Sequence, residues 1–118
     1  MDMKVIDMKE ALDRVQDDRE LLFELFDIFQ DDFKVKRKEI QKALDQGDCE
    51  TVRNLAHSLK GAAGNISAKR LQALFLFVEE KSAAGTLSEI GGRLTELDRE
   101  FEEYKVEAQK LRSERGLL

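Results

Sequence analysis

Between Leu22 and Leu44 the apolar residues recur at intervals of three, four and seven: Leu22, Leu25, Phe26, Phe29, Phe33, Ile40 and Leu44. Residues at those spacings share one face of an α-helix and of no other regular structure. No proline occurs anywhere in the 118 residues to interrupt such a pattern. A chain with this stripe, and with 38% of its residues charged, folds by packing long amphipathic helices and not by pairing strands.

The other segments repeat the signal. Asp7 reads as an N-cap, with Glu10 three residues later completing a capping box. This predicts a short helix to about Gln16 that turns Met8, Ala11, Leu12 and Val15 inward and lids one end of the core. Met1 to Ile6 reads as an extended lead-in, and Asp17-Asp18 as a break. The second helix runs from Arg19 to about Gln46 and stops at Gly47. A kink or break is expected between Phe33 and Lys38, where the stripe reads Lys36-Arg37. Asp48 caps a third helix from Cys49 to about Asn65.

Ser67 opens the fourth helix as its N-cap, with Leu71, Leu74, Phe75, Val78 and Ser82 inward and Gly85 at its end. Thr86 with Glu89 reads as a second capping box. Leu87, Ile90, Leu94, Leu97, Phe101, Tyr104, Ala108 and Leu111 then form a seam on the last helix. Gly91-Gly92 weakens its first turns, and Lys110 to Leu118 is expected to fray. Four substantial amphipathic helices with short links predict an all-α chain. The expected architecture is an antiparallel four-helix bundle with a short N-terminal helix capping one end. Residues 1–118 read as a single domain with its core between about 6 and 112.

The third helix holds the only histidine. Val52, Leu55, Ala56, Leu59, Ala63 and Ile66 fall on a stripe roughly 100° wide, and His57 lies nearly opposite its centre. Its neighbours one turn away are Arg53, Lys60 and Gly61, with Gly64 a turn further on. An outward imidazole between two cations suits a phosphoryl carrier. With a reference pKa of about 6.5 the ring is a good nucleophile near neutrality, and Lys60 and Arg53 would stabilise a phosphoryl group on it. A glycine inside a helix costs roughly 1 kcal/mol against alanine. Gly61 and Gly64 on the histidine's own face therefore imply a steric reason, namely the close approach of another protein's active site. The plainer reading is that a lone histidine on a helix is a surface residue.

The run Ala56-His57-Ser58-Leu59-Lys60-Gly61, followed by Ala63-Gly64-Asn65-Ile66, Ala68 and Leu71, resembles the signature of histidine-containing phosphotransfer (HPt) domains. The resemblance extends from about residue 6 to residue 105, taking in Leu12, the run Leu21-Leu22 to Phe33, Gly47-Asp48 and Val78-Glu79. Ser67 departs from it, standing where the family usually has glycine. A local backbone change with no loss of activity is expected there.

The resemblance implies a protein of a multistep two-component phosphorelay, carrying a phosphoryl group on His57 between the aspartates of receiver domains. It also implies that Glu79 accepts the Nδ1 proton of His57 and leaves Nε2 as nucleophile. The alternative for Glu79 is a solvated charge in the Glu79-Glu80 pair. The implied partners are response-regulator receivers, including those of hybrid sensor histidine kinases. Mg²⁺ is expected only in the receiver, and no cofactor in this chain.

Phe23, Leu76 and Phe77 lie off their helices' stripes. Either wide stripes accommodate them, or all three belong to a partner-docking patch beside His57, Phe23 and Leu76 foremost.

Other chemistries find little support. No Gly-rich phosphate loop, nucleotide motif or metal-ligand cluster is present, so autokinase activity is not expected. A catalytic triad or a metal site would have to use His57, whose face offers only Arg53, Lys60 and glycines. The net charge of −5 lacks a basic stripe for nucleic acid. No apolar run approaches the ~18 residues of a membrane span. Met1 to Lys9 lacks a signal-peptide core. The lone Cys49 excludes an internal disulfide and reads as a helix-end packing residue. A cytoplasmic monomer is expected. The competing class is a phosphorylation-independent helical-bundle adaptor or dimerisation module of the same fold, which would have no need of the His57, Lys60, Gly61 set.

Overall fold

The structure, a computed structural model, describes residues 3–116. Five helices follow one another: α1 (Met8–Arg14), α2 (Arg19–Asp45), α3 (Cys49–Asn65), α4 (Lys69–Ala83) and α5 (Gly91–Gly116), with a 3₁₀ turn at Leu87–Glu89 before α5. Helices α2 to α5 form the antiparallel four-helix bundle, and α1 lies over one end with Ala11 fully buried. Of the expected lead-in, Met1 and Asp2 lie outside the described residues, as do Leu117 and Leu118 of the tail.

Aspartates start the first three helices. Asp7, Asp18 and Asp48 accept hydrogen bonds from the backbone N–H of Glu10, Leu21 and Thr51 at 3.2, 3.0 and 3.1 Å. Each satisfies a donor that the first helical turn leaves unpaired. Two of the connections close on glycine in the left-handed region, Gly47 at φ +69° and Gly85 at φ +77°.

The inward residues interlock through rings. Phe29, Phe33, Phe75, Phe101 and Tyr104 form a continuous cluster between α2, α4 and α5, with Phe33 stacked on Phe101 at 3.9 Å and Phe29 edge-on to Tyr104 at 5.2 Å. Burying each such ring stabilises the bundle by roughly 2–3 kcal/mol. The Tyr104 hydroxyl donates to the Phe26 carbonyl at 3.0 Å, so its one polar atom is satisfied. Burial holds its phenol well above the ordinary tyrosine range.

Several local expectations give way to tertiary contacts. Helix α2 is unbroken over 27 residues, with no break between Phe33 and Lys38. There, cross-helix polar bonds replace the apolar stripe. Lys36 Nζ donates to Ser58 Oγ of α3 at 2.7 Å, and Arg37 grips Asp98 of α5 with two nitrogens at 2.8 and 3.0 Å.

Ser67 is not an N-cap. Ala68 occupies that position without a side-chain bond, while Ser67 adopts φ +55°, fully buried. The chain thus keeps a glycine-like backbone at the position that departs from the HPt pattern. The Ser67 hydroxyl donates instead to Glu10 at 3.1 Å, and Lys69 reaches the same Glu10 oxygen at 2.8 Å. Glu10 is therefore not the returning arm of a capping box, because the Asp7 N–H goes to the Ser67 carbonyl. Nor does Thr86 cap: its hydroxyl donates to the Lys81 carbonyl, Leu87–Glu89 forms the 3₁₀ turn, and α5 begins at Gly91. At the far end α5 extends to Gly116. Arg112 anchors it by donating to the Phe23 carbonyl and to Asp27, both at 2.6 Å.

Candidate functional site

Helices α3 and α4 run antiparallel and in close register. His57 meets Glu79 on one rung and Gly64 meets Gln72 on another. The face opposite the buried set Val52, Ala56, Leu59 and Ala63 is left to solvent, and His57 stands on it with 67% of its side chain exposed.

Glu79 organises this face. Its Oε2 lies 2.6 Å from His57 Nδ1 and its Oε1 lies 2.6 Å from Lys60 Nζ. The carboxylate is half-buried, and a bond from the Lys60 ammonium holds it below the usual glutamate range, with the His57 contact acting in the same direction against partial burial. An ionised carboxylate is only an acceptor, so the bond to the ring assigns the proton to Nδ1. In the neutral ring Nε2 then carries the free lone pair, on the side of the ring away from Glu79. The bond from Nδ1 orients the ring, and the bond from Lys60 holds the Glu79 carboxylate that accepts it.

The remaining residues singled out from the sequence divide. Arg53 is exposed one turn before His57, with no carboxylate partner among the described residues. Gly61 is exposed, and a Cβ added there would meet nothing within 4 Å. The steric reason at Gly64 is different. An added Cβ would come within 2.8 Å of the Gln72 amide, so this glycine admits a side chain of α4 and not only a visitor from outside. Leu76 lies on α4 one turn from both Gln72 and Glu79 and is 43% exposed.

Phe23 does not belong to this face. It is buried against Phe26 with the Arg112 guanidinium 5.6 Å above its ring. It also lies thirteen residues before Lys36, the residue of α2 that touches Ser58, or about 20 Å along the helix. Phe77 faces α5, under Arg93 at 4.6 Å.

Sequence reasoning missed three contributors. Gln72 packs over Gly64; its signal was a position seven residues before Glu79 on one helix face. The others lie on α2. Leu25, Ile28, Phe29 and Asp32 form one wall of a groove of about 130 Å³ whose other wall is Ala62, Asn65 and Ile66 of α3, with Ile28 62% exposed. Lys36 stands at the end of that wall. Among the described residues no three His, Cys, Asp or Glu side chains converge as a metal site requires, and no helix is long and apolar enough to cross a membrane.

With that geometry in place, the chain can be set beside known proteins. The family model described as the Hpt domain matches residues 24–112. No curated protein matches the chain significantly. Two solved structures share its fold. One is histidine-containing phosphotransfer protein B of Pseudomonas aeruginosa, with a TM-score of 0.86 at 23% identity over 96% of this chain and 98% of that one. The other is the HPt domain of a sensor hybrid histidine kinase from Shewanella, with a TM-score of 0.77 at 21% identity over 93% and 95%.

Proposed function

The chain belongs to the Hpt family of histidine phosphotransfer domains, components of two-component phosphorelays, and from that premise we propose that His57 is the residue that carries the phosphoryl group. One observation supports this above the others: the only histidine is exposed while its Nδ1 is held by Glu79 at 2.6 Å, which leaves Nε2 free.

In the proposed reaction Nε2 attacks the phosphorus of a receiver's aspartyl phosphate. The N–P bond forms as the P–O bond to the aspartate breaks, and the carboxylate leaves with the electron pair. The ring keeps its Nδ1 proton and gains positive charge as the bond forms. The Glu79 carboxylate already faces that proton, so the charge develops against a fixed anion and requires no reorganisation. The reverse sequence delivers the group to a second receiver. Such transfers depend on positioning and charge stabilisation. Lys60 keeps Glu79 ionised and in place, and Arg53 is an unpaired cation within reach of the face.

The open surface at Gly61, flanked by Ile28 and Ala62 on one side and Leu76 on the other, is where a receiver would seat. Mg²⁺ would come with the receiver, the carrier would act as a monomer, and it would meet such partners in the cytoplasm.

The test is transfer from a phosphorylated receiver domain to wild type and to His57→Gln, followed by acid treatment, because phosphohistidine is acid-labile. Label on wild type only, lost in acid, is the expected result. A His57→Gln protein that folds and still accepts label overturns the assignment. A folded wild type that accepts none from a panel of receivers points to the adaptor.

A further inference from the structure

Lys36 is a cation beside the site that the transfer chemistry does not use. Its Nζ donates to Asp32 Oδ2 at 3.1 Å, one turn back on α2, and to Ser58 Oγ at 2.7 Å across to α3. Ser58 is the residue next to His57. The two bonds fix the ammonium at the α2 edge of the histidine face, on the side away from Lys60 and Glu79. It remains 25% exposed, and Asp32 34% exposed.

The order of these charges is fixed as well. The cation lies toward His57, while the carboxylate lies one turn back along α2, in the wall of the groove with Ile28. The surface therefore carries an oriented pair of opposite charges between the nucleophile and the apolar groove. An exposed ion pair one helical turn apart contributes only a few tenths of a kcal/mol to stability, and Arg37 next door already ties α2 to the bundle with a two-nitrogen bond to Asp98. Stability alone gives little reason for a lysine to be held against Ser58.

We propose that the Asp32–Lys36 pair is a charge-reading element that selects among receiver domains docking on His57. It favours a surface that sets an acidic group over Lys36 and a basic group over Asp32. Charges at the rim of an interface act mainly on encounter and partner choice, whereas groups in contact with the reacting atoms act on the chemical step. The phosphoryl group brought to His57 is itself anionic, which matches a cation on the side nearest His57. The pair is a specificity element and not a catalytic group. The proposal rests on His57 being the phosphoryl carrier.

The experiment measures transfer to His57 from several phosphorylated receivers, with kcat and KM separated, for wild type, Lys36→Ala and the double exchange Asp32→Lys with Lys36→Asp. The exchange keeps an ion pair on the same helical turn but reverses its order, so thermal melting should stay near wild type. The expected result for the best wild-type receiver is a fall in kcat/KM of roughly three- to tenfold with Lys36→Ala. The fall should be larger with the exchange, be carried by KM, and shrink in high salt, with a changed ranking of receivers. An exchange variant that keeps the wild-type ranking and KM overturns the proposal, as does a loss confined to kcat. Wild type that takes no label from any receiver overturns the assignment of His57, and this proposal with it.

Discussion

Gly61 separates the demands of the fold from those of docking. It lies one turn beyond His57 in the middle of α3, exposed, with open space where a Cβ would go. Its φ is helical, so a side chain introduces no backbone strain. By helix propensity alone alanine should stabilise the protein by about 1 kcal/mol. For a domain of this size that is a rise in Tm of roughly 3–6 °C. Gly61→Trp should fold as well as wild type, since nothing in the bundle occupies the space. Its indole would nevertheless stand beside Nε2 on the face a receiver must cover. In-line transfer needs the reacting atoms about 3–3.5 Å apart, and a misplacement of 1 Å can cost about a hundredfold. The indole would hold the partner off by more than that. We expect Gly61→Ala to melt higher and transfer slightly more slowly. Gly61→Trp should melt near wild type and lose at least about a hundredfold in kcat/KM. Thermal denaturation followed by circular dichroism, together with transfer from a phosphorylated receiver, reads both quantities. A Gly61→Trp protein with the wild-type melt and the wild-type rate would refute the argument that this glycine keeps the docking face open.

Other expectations follow from single contacts. Glu79→Ala removes the acceptor from Nδ1 and leaves Lys60 unpaired; a charge-assisted bond contributes roughly 1.5–3 kcal/mol, so transfer should fall by about ten- to a hundredfold. Glu79→Gln, which keeps an acceptor, should lose less, and equal rates for both variants would exclude the orienting role. Ser67→Gly should change the Tm little, because relief of left-handed strain at φ +55° offsets loss of the bond to Glu10. Ser67→Val combines left-handed strain with loss of the bond to Glu10 and should cost at least about 2 kcal/mol, measurable by urea unfolding. Acid should act through Glu79 and Glu10, held below the usual carboxylate range by Lys60 and Lys69 respectively. A carboxylate with a lowered folded pKa contributes its full stability above the unfolded value and loses it as pH falls through the folded one. The Tm should therefore drop across the acid side of the carboxylate range, less steeply in Glu79→Gln than in wild type.

The sequence was most legible where structure is decided locally. Asp48 and the period of the apolar residues set α3 at Cys49–Asn65, and the spacing alone picked out the five residues that α4 buries. It was least legible where a side chain had a choice of partners. Ser67 and Thr86 both have the chemistry of an N-cap, but each hydroxyl found a nearer acceptor, Glu10 of α1 and the Lys81 carbonyl. The bond to Glu10 depends on how helices come together, which no local pattern encodes, while Thr86 turned back to a carbonyl of the helix it follows. Lys36 and Arg37 misled in the same way. They interrupt the stripe on paper, yet they bind Ser58 and Asp98 and α2 continues unbroken past them. At the candidate site the offsets from His57 to Lys60 and Gly61 were visible, because they lie on one helix. The rung from Gly64 to Gln72 was not, because it depends on the register between two helices.

That register has a consequence for how the molecule is put together. His57, Lys60 and Glu79 all come from the α3–α4 hairpin, and the longest of their mutual bonds closes a loop of 22 residues. Contacts so near in sequence close readily, because little chain entropy opposes their closure. The reactive constellation is thus a property of two consecutive helices. Most of the aromatic core that anchors them lies in α2 and α5, far along the chain. Sequence change in α2 and α5 can retune stability and partner choice while the hairpin's chemistry stays untouched.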